Sequence, residues 1–267
     1  MTTTVRLEPS LRPKVWGREL LEPWFPDSPE PIGEAWYLAD RDLPLLVKLI
    51  FTSERLSVQV HPDDGEDGPR GKTEMWYILE AEPGAALALG FREPITRERL
   101  RQAAATGEIE NLVNWIPVHP GETYFTPAHT VHAIGAGIVL CEIQQNSDVT
   151  YRLWDYGRPR PLHLEQAIPI CDLQPHPGAA RPLRISEGRD ELVRSKHFTT
   201  ELVRIPPGGA ESPEARPCHL WIAIEGRGTI AGEAYRRGEV WLLPAAGEQP
   251  EIAAETASRF LRTWVPA

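Results

Sequence analysis

The sequence predicts an all-β protein built from two related units, and three observations lead there. Its 27 Pro and 21 Gly residues punctuate short β-branched and aromatic runs, among them LPLLVKLIF, LSVQV, MWYIL, TYFTP, IVLCEI, LWIAI and VWLLP. Closely spaced apolar runs with turn signals between them are the rhythm of a sandwich or barrel. At 56–61, Leu56, Val58 and Val60 alternate with Ser57, Gln59 and His61, so that strand has one apolar and one polar face. Finally, two segments recur in the same order. EMWYILE at 74–80 matches HLWIAIE at 219–225, and TYFTPA at 123–128 matches VWLLPA at 240–245, with Gly121 and Gly238 each six residues before the proline.

In chain order, residues 1–155 form the first unit. Its strands are interrupted near 95–115 by ITRERLRQAAATG, where Thr96 can cap a helix, Glu98 suits its first turn and Gly107 can end it. Residues 156–190 contain YGRPRP and LQPHPG with little alternation, and read as an extended strap over the surface. Residues 191–267 form the second unit. Two barrels joined by a crossing strap is the expected architecture.

Composition limits the function classes. With 28 Lys plus Arg against 38 Asp plus Glu, the formal net charge is -10 and no basic run offers a nucleic-acid surface. No stretch approaches the roughly 18 apolar residues of a membrane span, and the N-terminus lacks a secretory apolar region, so a cytoplasmic protein is expected. Cys141, Cys171 and Cys218 are odd in number and far apart, which favours three small buried hydrophobes over disulfides or a thiolate metal site. The acidic DDGED loop suits solvent.

The polar face at 56–61 needs a reason. Gln59 and His61, two apart on a strand, project to one side, Glu74 opens the next strand, and His132 closes PAHTVHA. Two imidazoles, a carboxylate and an amide oxygen gathered inside a barrel make a site for a borderline divalent metal. Zinc suits it, one ion per chain, and manganese or iron fits as well. The repeat sharpens this reading. Gln249 stands where His132 does, no Q-x-H precedes HLWIAIE, and His219 replaces Glu74 without companions. One unit carries the ligand set and its sibling does not, as expected if a site and not the scaffold requires it.

PIGEAW, LSVQVHPDD, GKTEMWYIL, YFTPAHTVHAIGAGIVLCEIQQNSD and TYRLWDYGR together resemble the short bacterial form of type I mannose-6-phosphate isomerase, through most of 11–160 and weakly beyond. The resemblance implies a cupin jelly-roll fold, zinc at Gln59, His61, Glu74 and His132, and exchange of mannose 6-phosphate and fructose 6-phosphate through an enediol. It also implies catalytic roles for Lys72 and Arg152, and a phosphate site at Arg152 and Arg158. Lysine usage supports the first of these. The chain has only Lys14, Lys48, Lys72 and Lys196 beside abundant Arg, and Lys exchanges a proton far more readily than Arg. Gln144, Ser147 and Asp148 lie where they could shape the same rim, while Trp16, Trp36 and Trp76 could wall the pocket or simply pack. His119, His163, His176 and His197 read as structural or unassigned.

Departures from the family pattern are His129 for a Gly, Arg18 for a Gly and Tyr37 for a Glu. They keep a second reading open, a non-catalytic cupin that binds a sugar or sugar phosphate. The expected partner in either case is a small hexose phosphate, and the oligomeric state is not legible.

Overall fold

A computed structural model describes residues 3–266. The chain is mostly β, with three short helices among the described residues. The first strands are β1 (Val5–Leu7), β2 (Pro9–Arg18), β3 (Ile32–Tyr37), β4 (Leu45–Phe51), β5 (Val58–Val60), β6 (Glu74–Ala81) and β7 (Ala86–Phe91). Helices α1 (Arg97–Thr106) and α2 (Ile109–Leu112) follow, then β8 (Val113–Pro117), β9 (Thr123–Thr126), β10 (His132–Ile134), β11 (Ile138–Gln145) and β12 (Tyr151–Trp154). After α3 (Leu164–Ile170) come β13 (Leu183–Ser186), β14 (Arg189–Arg194), β15 (Thr199–Ile205), β16 (Ala210–Glu211) and β17 (His219–Glu225). The chain ends with β18 (Gly228–Ile230), β19 (Glu233–Tyr235), β20 (Val240–Leu243), β21 (Ile252–Ala254) and β22 (Ser258–Trp264).

The strands form four antiparallel sheets in two matching pairs. One six-stranded sheet runs β2-β3-β4-β11-β6-β9, and its counterpart runs β13-β14-β15-β22-β17-β20 with β1 added at the β20 edge. The five-stranded sheet β12-β5-β10-β7-β8 has as counterpart β16-β21-β18-β19. The recurring sequence segments are β6 with β9 and β17 with β20, and they pair alike. Trp76 lies opposite Tyr124, and Trp221 opposite Trp241. No strand is hydrogen-bonded into both sheets of a pair, so among the described residues neither pair closes into a continuous barrel.

Side-chain alternation decides how the sheets stack. On β6, Met75 and Tyr77 enter a core shared with Leu202, Leu220, Ile222 and Leu242 of the second half, which backs the two large sheets onto each other. Trp76 and Ile78, one residue out of step, enter the core between β6 and the five-stranded sheet, with Leu87, Leu89 and Ile134. The outer face of the five-stranded sheet is covered by α1, α2 and α3 through Leu100, Ala104, Ile109 and Ile168.

Helix α1 matches its sequence signals. Thr96 Oγ1 accepts from Arg99 N at 3.1 Å, and Gly107 takes the left-handed conformation that ends it. Helix α3 lies within the segment that reads as an extended strap. It has no side-chain cap and a Pro in its last turn, and it holds through the burial of Ala167 and Ile168. Short helices of this kind owe their stability to tertiary packing, which local patterning does not announce. Cys141 and Cys171 are buried, whereas Cys218 is half-buried, and all three are free.

Candidate metal centre and active site

The polar face of β5 meets β10 and β6 in the space between the first pair of sheets. Gln59 and His132 are direct partners across β5 and β10. His61 follows β5, and Glu74 opens β6 with its side chain fully buried. Each histidine is oriented from behind. His61 Nδ1 lies 2.8 Å from Val149 O and His132 Nδ1 lies 2.9 Å from Thr130 O, so each Nδ1–H donates to a carbonyl and each Nε2 lone pair faces inward. His132 Nε2 stands 3.4 Å from Glu74 Oε1, and His61 Nε2 stands 3.7 Å from Glu74 Oε2.

One ligand atom from each of His61, Glu74 and His132 lies within 4.8 Å of the other two. Donors around a tetrahedral zinc at about 2.05 Å sit about 3.3 Å apart, so this cluster needs only small contraction to hold an ion. Glu74 Oε1 is buried without a hydrogen-bond partner, an acceptor waiting for a donor or a cation. Gln59 lies against His132, Nε2 to Nε2 at 3.3 Å, while its Oε1 accepts from Ser57 Oγ at 3.1 Å. A half-turn of that amide presents its oxygen to the same point. The donor set therefore fits a divalent metal.

Lys72 reaches into the same cluster. Its Nζ bonds Glu74 Oε2, lies 3.0 Å from His61 Nε2 and 3.9 Å from Glu142 Oε1. Glu142 is the centre of a second buried group. Lys48 Nζ and Trp76 Nε1 each bond one of its oxygens at 3.0 Å, and Lys48 also stacks over the Trp36 ring. Sequence reasoning missed the Lys48–Glu142 pair. The available signal was a charged residue inside each of two apolar runs, LPLLVKLIF and IVLCEI, which register makes direct neighbours.

The charges are mutually dependent. Burial pushes His132 down to about 3, with Lys72 adding to the effect, and drives His61 well below its ordinary value for the same reasons. Both imidazoles are neutral, as metal ligands must be. Burial raises Glu74 to about 7 although Lys72 pulls it down. Burial alone would also depress Lys72, but Glu142 and Glu74 outweigh it and hold the ammonium above its ordinary value. Lys48 and Lys72 overcome burial at Glu142 and hold it at about 2.

This cluster opens into a cavity of about 330 Å³ whose walls include Lys14, Trp36, Lys48, Gln59, Arg152 and Arg160. Trp16 and Asp148 reach it as well, whereas Trp76 lies behind it and serves Glu142. Gln144 donates to Gln145 O and Ser147 O and so shapes the loop that carries Asp148. Arg152 lies directly across from Gln59 on β12, with Nε buried and unpartnered. Arg158 is not brought to this wall. Its Nη2 donates to Arg55 O at 2.7 Å, and it stacks on Tyr156 beside Glu54 in a neighbouring depression.

The three departures from the family pattern all lie off the cavity. His129, at φ 73, turns its ring to Glu66 at 2.7 Å and faces a different groove. Arg18 points to Glu82 at 3.9 Å. Tyr37 is buried between the two halves and donates to Gly238 O. Of the remaining histidines, His163 accepts from Arg152 N and His176 lies against Phe125 O, both structural contacts, while His197 stands 3.9 Å from Asp64.

No family model matches the chain. It is 38% identical over 218 residues to the mannose-6-phosphate isomerase of Streptococcus mutans serotype c, covering 75% of this chain and 68% of that protein. It is 35% identical over 248 residues to the probable mannose-6-phosphate isomerase GmuF of Bacillus subtilis, covering 86% and 76%. Among solved structures, the mannose 6-phosphate isomerase of Bacillus subtilis superposes with a TM-score of 0.85 at 25% identity, over 97% of this chain and 99% of that one.

Proposed function

The chain belongs to the mannose-6-phosphate isomerase family, and on that premise we propose that the cavity beside His61, Glu74 and His132 is where it interconverts mannose 6-phosphate and fructose 6-phosphate. The observation that carries the assignment of the reaction to this cavity is the buried Glu74 carboxylate, its Oε1 without a hydrogen bond, set between the Nε2 atoms of two imidazoles. Such an arrangement is costly unless a cation completes it. The non-catalytic reading is not favoured, because the residues that suggested it lie away from the cavity.

His61, Glu74 and His132, with Gln59 after its amide turns, would hold the metal. Imidazole, carboxylate and amide oxygen suit zinc, and manganese and iron share that preference. A divalent ion held there would supply countercharge for the negative charge that develops on the substrate oxygens. Conversion moves one proton from C2 to C1 and one from the C2 hydroxyl to the C1 oxygen, with no net redox change. Lys72 is the proton-handling group in this scheme. Its side chain lines the cavity, and Glu142 and Glu74 keep it protonated at rest; the ammonium gives a proton to the C1 oxygen, the amine so formed takes the C2 proton, and the same exchange in reverse delivers a proton to C1 and removes the one on the C2 oxygen.

Arg152 contacts the sugar near the reacting carbons. Countercharge for the phosphate comes from the arginines on and just after β12, Arg152, Arg158 and Arg160, among which the resemblance implies Arg152 and Arg158. Residues 1–155 act as the metal-binding cupin unit, 156–190 as the strap and 191–267 as a second cupin unit without the metal site, except that β1 joins the second unit's sheet. No helix of the described residues is long and apolar enough to cross a membrane, and we place the enzyme in the cytoplasm.

A coupled assay of fructose 6-phosphate formation tests this reading. The expected outcome is turnover that a chelator abolishes and added zinc restores. His132→Ala should lose at least about 10³-fold, and Lys72→Ala about 10²- to 10⁴-fold in kcat. Saturable sugar-phosphate binding without turnover, or turnover indifferent to chelator, would refute it.

A further inference from the structure

Arg152 stands directly across from Gln59, so its Cβ lies about 5 Å from that of a candidate metal donor. That register places it at the reacting end of the sugar. The phosphate is carried at the opposite end of the carbon chain and needs a cation farther along the cavity. Two arginines follow β12. Arg158 spends its guanidinium on Asp155, Arg55 O and Glu54 in the neighbouring depression. Arg160 lines the cavity itself, as do Lys14, Asp148 and Thr150.

Arg160 is also held in place. The buried Asp155 carboxylate receives its Nε at 2.5 Å and its Nη2 at 2.7 Å, a bidentate fork that leaves Nη1 free of protein hydrogen bonds among the described residues. Pro159 and Pro161 flank it and restrict the backbone on both sides. Three guanidiniums, those of Arg152, Arg158 and Arg160, crowd one carboxylate. Burial first and Arg160 second work against the charge of Arg152, so the group holds more positive charge than Asp155 offsets. In a chain of net charge -10 this local excess draws an anion.

We propose that Arg160, oriented by the buried Asp155, is the principal phosphate-binding cation of this cavity, and that Arg158 is not. The proposal rests on the sugar-phosphate isomerase reading. Arg160 meets the substrate, and Asp155 is a positioning residue.

Steady-state kinetics on the metal-loaded full chain test it, with mannose 6-phosphate as substrate and inorganic phosphate as competitive inhibitor. Arg160→Gln should raise KM and the phosphate inhibition constant about 10- to 100-fold with kcat within about threefold, the loss expected for a charge-assisted hydrogen bond. Arg160→Lys should recover part of that loss. Arg158→Gln should change KM by a factor at least about tenfold smaller. Asp155→Asn should raise KM in the same sense as Arg160→Gln, with circular dichroism confirming that the variant is folded.

A KM rise in Arg158→Gln equal to that in Arg160→Gln, or a loss in Arg160→Gln confined to kcat, would overturn the assignment. A wild-type KM in Asp155→Asn would remove the positioning role. Absence of turnover in the wild type would instead defeat the isomerase reading, so the two failures are distinguishable.

Discussion

A buried ring nitrogen that already accepts hydrogen bonds fixes the protonation of its side chain. His219 is the clearest case outside the cavity. Its Nε2 accepts from Trp221 Nε1 at 2.9 Å and from Arg262 Nε at 2.8 Å, so the ring is neutral with its proton on Nδ1. Burial first, then Arg262, lowers its pKa to about 3. The folded state thus refuses a proton that the unfolded chain accepts near 6.5, and stability contributed above that pH is lost as pH falls toward 3. Unfolding free energies from urea titrations between pH 7 and pH 4 should fall by up to about 1.4 kcal/mol per pH unit for this one group. His219→Gln should lose that share of the slope.

The same scale shows what the sequence can and cannot disclose. That His61, Glu74 and His132 cluster was legible in part, because strand alternation at 56–61 puts Gln59 and His61 where only a solvated face or a site can receive them. Lys48 and Glu142 were not, since β4 and β11 are buried on both faces and their pairing is a matter of register. Nor does YGRPRP reveal that Arg158 and Arg160 point to different depressions.

At the level of the element, α1 shows how few residues set a boundary. Thr96→Ala removes the acceptor for Arg99 N and should cost about 1 kcal/mol in urea unfolding, with KM unchanged. Gly107→Ala should cost more. Its φ of 82 is strained for any residue with a Cβ, and that Cβ would stand 2.6 Å from the Trp154 ring. Both ends were readable from sequence, whereas α3 was not, because its helicity comes from what it packs against. The repeat was legible in β6, β9, β17 and β20, yet it concealed an inversion. Lys48, Glu142 and Trp76 occupy β4, β11 and β6, while Glu201, Arg262 and Trp221 occupy the corresponding β15, β22 and β17. The ion pair is kept and its polarity reversed, which alters which charges a pocket could offer in each half.

For the whole molecule, the shared core between the two large sheets is decisive. Met75, Tyr77 and Leu49 from one half pack with Leu220, Ile222 and Leu242 from the other. Separating the halves would expose that surface to water at about 25 cal/mol per Å² of apolar area. Thermal or urea unfolding should therefore proceed in one transition by both tryptophan fluorescence and circular dichroism, and residues 1–155 expressed alone should fail to give a soluble folded product. Two resolved transitions would contradict this. The sequence announced two units, but not that they would be back to back, since alternation says which residues are buried and not by which neighbour.

Strand β1 makes that union literal. Arg6 and Glu239 form an ion pair across 233 positions, and Val5 to Leu7 lie along Leu242 to Val240. During synthesis this early ribbon leaves the ribosome long before its partner exists, so it must wait until most of the polypeptide has emerged before docking. A copy halted ahead of residue 240 consequently has two loose segments, one where translation stopped and one at β1.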